Sequence, residues 1–178
     1  MTAKLATATA SARLSNEPGR ALLTVRGQHG VTDSPPTLGG PNEAANPVEL
    51  LLSALAGCAV FVCERAAFEL GIGLQAVQVT AVGEFDPRGV CGEDFDPRFQ
   101  SFKVKLVLEG PDAAQSALLL QAFKTRCPVY TTLARAAPVR PTARGKPGHR
   151  VRQAATGGKF RRVHPPHRPS PSPRAALC

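Results

Sequence analysis

At 178 residues the chain is long enough for one domain with a substantial core. Its net charge of +9 is uneven: residues 1–140 carry 13 basic against 13 acidic side chains, and residues 141–178 carry 9 against none. A balanced first 140 residues implies no basic face, so the charge does not mark a nucleic-acid-binding domain. Five cysteines without framework spacing, behind an N-terminus with no apolar signal core, point to a cytoplasmic protein whose thiols are mostly reduced.

Residues 4–14 and 20–26 are short alternating segments joined by SNEPG and predict a hairpin, with a third short strand at 28–32. DSPPTLGGPNEAA then forms a Pro- and Gly-rich loop, placed to wall an active site because it leads into a cysteine-bearing helix. The start of that helix is well marked in NPVELLLSALAGC. Asn46 suits the N-cap, Pro47 the first position and Glu49 the third, completing a capping box. The run that follows is apolar on every face until Glu64, Arg65 and Glu69, and Gly71 supplies a left-handed stop. This predicts a buried central helix with Cys58 in its middle. A membrane span is the rival, set aside because the apolar run is short and closely follows Glu49.

Residues 74–85 and 99–108 alternate again and predict a second strand pair, linked by the long polar segment DPRGVCGEDFDPR. Pro111 and Asp112 open another helix, AAQSALLLQAFKTR, which ends near Cys127. Pro128 pre-sets a further short helix, so Cys127 falls at its N-cap, where unpaired N–H groups and the helix dipole favour a thiolate. Strands, helix, strands, helix is an α+β order. From residue 141 the chain has seven prolines and no acid. The expectation is a domain over 1–140 and a disordered basic tail over 141–178, with at most weak, salt-sensitive attraction to anionic surfaces.

With both cysteines placed, the chain resembles the OsmC/Ohr family of thiol-dependent peroxide reductases. The resemblance rests on GGPNEAANPVELLLSALAGC around Cys58, FDPRFQSFKVKLVLEG in the second strand pair and CPVYTTLARAAPV around Cys127, and covers about residues 4–140. It implies an α+β fold of antiparallel sheets around a long buried helix, two intertwined subunits and active sites at their interface. It further implies that Cys58 is the peroxidatic thiol and Cys127 the resolving one. The substrate would then be an organic hydroperoxide, with no cofactor and an external dithiol, lipoyl-type dithiols among the candidates, as reductant. An apolar wall from Leu55, Phe61 and Val62 would favour alkyl or lipid-like peroxides.

Two departures from the family pattern matter. The Ohr branch has a glutamate ten positions before the first cysteine, where this chain has Val48. Glu49, one step on and about 100° around the helix, is expected to cap it and not to touch Cys58. The family's final strand is replaced by the tail. Val48 motivates an alternative from another class, a non-catalytic protein holding a hydrophobic small molecule at the dimer interface.

A mid-helix thiol needs a positive neighbour to ionise near neutrality. Arg20 and Arg26 are the candidates from the hairpin, with Arg26 preferred because it precedes Gly27 near the loop leading to the helix. The bland reading of each is a solvated strand charge. Arg126, beside Cys127, is a candidate for lowering that thiol's pKa. Cys63, five positions after Cys58, falls on another helix face and reads as core packing. No metal site is expected, since His29 stands alone in the domain and His149, His164 and His167 lie in the tail without ligand spacing.

Overall fold

The structure is a computed structural model, and it describes residues 4–135, 139 and 141. The expectation of a disordered tail over 141–178 lies almost wholly outside the described residues.

β1 (Ser11–Leu14), β2 (Arg20–Val25) and β3 (Gln28–Asp33) form a three-stranded antiparallel sheet in that order. The first strand is shorter than its alternating pattern predicts, because residues 4–10 are exposed and unpaired. β2 and β3 are joined by the two-residue turn Arg26–Gly27, both with positive φ, at 50° and 79°. That turn matches the twist of the strands, but a left-handed arginine costs about 1–2 kcal/mol relative to glycine there. A short 3₁₀ turn, Pro36–Leu38, lies in the loop that follows.

α1 (Pro47–Leu70) starts as expected: the Asn46 side chain accepts from the Glu49 N–H at 2.9 Å, and the Glu49 carboxylate accepts from the Asn46 N–H at 2.8 Å. Gly71, in the left-handed conformation, ends it. β4 (Ala76–Glu84) and β5 (Ser101–Glu109) form a two-stranded antiparallel sheet over their whole length. The connection between them contains the short α2 (Pro87–Val90). Here a four-residue pattern occurs twice: Asp86 clamps Arg88 and Asp96 clamps Arg98, each through the same side-chain and backbone bonds. After β5, Gly110 turns the chain at φ 104°, and a Cβ there would run into the Gly73 carbonyl. α3 (Ala113–Arg126) opens on a second capping box, Asp112 with Gln115, and α4 (Pro128–Arg135) follows after Cys127 alone.

The core joins one face of α1 to α3, α4 and the β4–β5 sheet. Leu55, Ala59, Cys63, Ala66 and Ala67 lie on that face, against Leu119, Phe123 and Cys127. Full burial of Leu55 and Leu119 contributes about 1.5–3 kcal/mol each. The expectation that α1 is buried on every face needs correction. Apart from Leu55 its inward residues are small, and two of its largest point outward, with Phe61 69% and Phe68 79% exposed. α1 also meets the length and apolarity of a membrane span, contrary to the reading of its run as too short. Its packing on β4, α3 and α4 makes it a core helix here.

Candidate functional site

The core brings together the two cysteines that the sequence separates by 69 positions. Cys58 is half-buried at the middle of α1, and Cys127 is fully buried between α3 and α4. The Cys127 thiol donates to Cys58 Sγ at 2.9 Å. Disulfide formation needs a further approach of less than about 1 Å.

Local structure fixes Cys127 on both sides. Its N–H donates to the Phe123 carbonyl at 3.1 Å, closing α3, and its carbonyl accepts from the Thr131 N–H at 2.9 Å, opening α4. Its sulfur then takes the place of an N-cap oxygen and accepts from the Tyr130 N–H at 3.3 Å. The Val129 N–H is turned to Cys58. The first free amides of α4 thus serve one sulfur each, Pro128 having none to offer. The Tyr130 ring packs on Phe123 with centroids 4.9 Å apart, holding the corner.

Burial pushes the Cys58 thiol above its ordinary pKa, and the hydrogen bond from Cys127 pushes the same way. The Val129 amide opposes them. Cys63 is raised by burial and by Cys127, and its thiol faces the Leu119 carbonyl at 3.9 Å, in keeping with core packing.

The arginines sit elsewhere. Arg20 grips Asp33 through Nε and Nη2, each at 2.8 Å, and its Nη2 also reaches Glu43 at 2.7 Å. Asp33, 2% exposed, also accepts from the Glu43 and Ala44 N–H groups, so this network ties the loop before α1 to the end of the sheet. Arg20 holds the Asp33 carboxyl down to about 2. Arg26 occupies the β2–β3 turn and makes no hydrogen bond or ion pair among the described residues. Arg126 turns away from the thiols: its Nη1 donates to Glu69 of α1 at 2.7 Å, beside Arg65 on the other carboxylate oxygen at 2.7 Å. Glu49 is occupied in its cap. No described side chain therefore supplies Cys58 with the positive neighbour expected for it.

Sequence reasoning missed Asp33, Glu43 and Glu69. Asp33 had a signal: counting outward from the Arg26–Gly27 turn pairs Arg20 with Asp33. Glu69 had the i,i+4 spacing to Arg65, but nothing marked its bond to Arg126; Glu43 had no signal, since its partner comes from another element.

A cavity of about 390 Å³ is lined by Leu55, Phe102, Phe123, Tyr130 and Leu133, with Gln100, Ser101 and Lys124 also on its wall; neither thiol lines it. Another of about 360 Å³ lies at the start of α1 between Val48, Leu38, Phe85 and Val90. Among the described residues no group of three or more His, Cys, Asp or Glu could hold a metal ion.

Comparison with known proteins agrees with the fold. The family model described as OsmC-like protein matches residues 40–142, more than half of the chain. No curated protein matches the sequence. The OsmC-like protein of Mycoplasma pneumoniae is similar in structure, with a TM-score of 0.62 and 17% identity over 76% of this chain and 91% of that one. An organic hydroperoxide resistance protein of Elizabethkingia anophelis gives 0.56 and 20%, over 76% and 92%. A Legionella pneumophila protein described as an organic hydroperoxide resistance protein OsmC gives 0.53 and 21%, over 74% and 91%. At these identities the likeness establishes the fold.

Proposed function

The chain belongs to the OsmC-like family, and on that premise we propose that it is a thiol-dependent peroxidase acting on organic hydroperoxides. The observation that carries this is the 2.9 Å approach of Cys58 and Cys127. The half-buried Cys58 meets the peroxide, and the fully buried Cys127 can only resolve. The Cys58 thiolate attacks the terminal peroxide oxygen, the O–O bond breaks, and the alkoxide leaves as the alcohol after taking a proton. Cys127 then attacks the Cys58 sulfenic acid, which forms the disulfide and releases water. An external dithiol returns both thiols to the reduced state. The cavity between Leu55 and Tyr130, apolar along Phe102, Phe123 and Leu133, suits the alkyl part of the substrate.

The missing positive charge is assigned to Arg26, delivered across a homodimer. Arg20 is neutralised by Asp33 and Glu43, whereas Arg26 stands uncommitted at a hairpin tip. The exposed Phe61 and Phe68 of α1 give a second copy a surface to cover.

One observation favours a second reading. Val48, in place of the Ohr-branch glutamate, lines an apolar cavity, which suits a binder of a hydrophobic small molecule. Steady-state consumption of cumene hydroperoxide with a dithiol separates the two. The peroxidase requires that Cys58→Ser abolish turnover and that Cys127→Ser leave a single turnover; no consumption by the wild type would leave the binder.

A further inference from the structure

We infer that Glu69 and Arg126 position the resolving thiol. Their ion pair ties the last residue of α3, one before Cys127, to the helix that carries Cys58. The inference rests on the peroxidase reading and concerns its second chemical step.

α1 presents both ends of a closed circuit: Cys58 at its middle touches Cys127, and Glu69 near its C-terminus holds Arg126 at 2.7 Å. Both carboxylate oxygens are in use, since Arg65 Nε binds the other at 2.7 Å and fixes the Glu69 rotamer from one turn away. The two arginines hold the Glu69 carboxyl down to about 2, Arg126 more strongly than Arg65, so the clamp is charged throughout the neutral range. Both groups are partly exposed, so the pair adds little to global stability. Its effect is local. The α3–α4 corner consists of the buried Cys127 alone; its other fixings are backbone bonds, the Thr131 hydroxyl on the Cys127 carbonyl, the Tyr130 N–H on the Cys127 sulfur and the Phe123–Tyr130 contact, all within the corner itself, so the ion pair is its charged tie to α1. When the peroxide oxygen is added to Cys58, the sulfurs must part to admit it and close again over it. The ion pair brings the corner back. Glu69 touches no reacting atom, so its role is positioning.

The test oxidises the full-length protein with one equivalent of cumene hydroperoxide and quenches at intervals with dimedone. Mass spectrometry then gives the partition between trapped Cys58 sulfenic acid and the Cys58–Cys127 disulfide. Glu69→Gln is expected to slow disulfide formation roughly two- to fivefold, the range open to an exposed pair, with the first oxidation of Cys58 unchanged. Arg126→Gln should do the same, and the double variant should be no slower than either single. Wild type in 1 M salt, where the screening length falls to about 3 Å, should shift in the same direction without any variant. An unchanged partition in Glu69→Gln, or additive effects in the double variant, would overturn the inference while leaving the peroxidase intact. A wild type that forms neither sulfenic acid nor disulfide would overturn the peroxidase reading itself, and the inference with it.

Discussion

At the scale of single residues, the chemistry depends on what each charge is already bound to. Arg20 and Arg26 both come from the hairpin, yet the strand register gives Arg20 to Asp33, the loop adds Glu43, and of the two only Arg26 is left uncommitted. That network predicts an acid dependence. The Asp33 carboxyl sits at about 2 against an ordinary 3.8, mainly through Arg20 and its two backbone donors. A depressed carboxyl contributes stability that is complete above its unfolded value and is lost as pH falls through the folded one. Asp33 should therefore stabilise the protein fully above about pH 4 and cease to do so toward pH 2. Thermal unfolding from pH 6 to 2 should show Asp33→Asn less stable than wild type at pH 6, with the difference shrinking on acidification. A constant difference would place the cost in packing and not in ionisation. Cys58 carries the opposite sign: its raised pKa favours the thiol, so its contribution is present below its ordinary value and lost as pH rises beyond it.

Among the elements, local rules were legible and long-range ones were not. The capping box of Asn46 and Glu49 involves four consecutive residues, so it could be read directly, and with it the fact that Glu49 faces the backbone and not Cys58. Pro128 after Cys127 likewise announced the helix junction. β4 and β5 lie within two residues of the alternating segments that predicted them. The inward face of α1 was not legible, because an all-apolar run has no polar side to orient it; packing chose Leu55 and the small Ala59, Cys63, Ala66 and Ala67 and left Phe61 and Phe68 outside. Nor could spacing alone show that two thiols 69 residues apart would meet. Because the cap sets where α1 begins, Asn46→Ala should cost about 1 kcal/mol, read as a lowered denaturant midpoint at constant slope. A loss below about 0.3 kcal/mol would mean that the helix start is held by other contacts.

For the whole molecule, the described chain leaves its β1–β3 sheet largely uncovered and the outer face of α1 apolar. The proposed dimer covers them. Phe68→Glu should shift the species seen by light scattering from dimer to monomer, since each lost aromatic contact is worth about 1.5–3 kcal/mol and symmetry counts it twice. A wild type that is monomeric at micromolar concentration would remove the route by which Arg26 reaches a thiol. The central claim is that Cys58 and Cys127 form one redox couple. Peptide mass spectrometry of the protein after one equivalent of cumene hydroperoxide tests it most directly. The expected product is a disulfide between the peptides holding Cys58 and Cys127, with Cys63 still reduced. A protein left fully reduced, or Cys58 driven to sulfinic acid beside an intact Cys127 thiol, would contradict it.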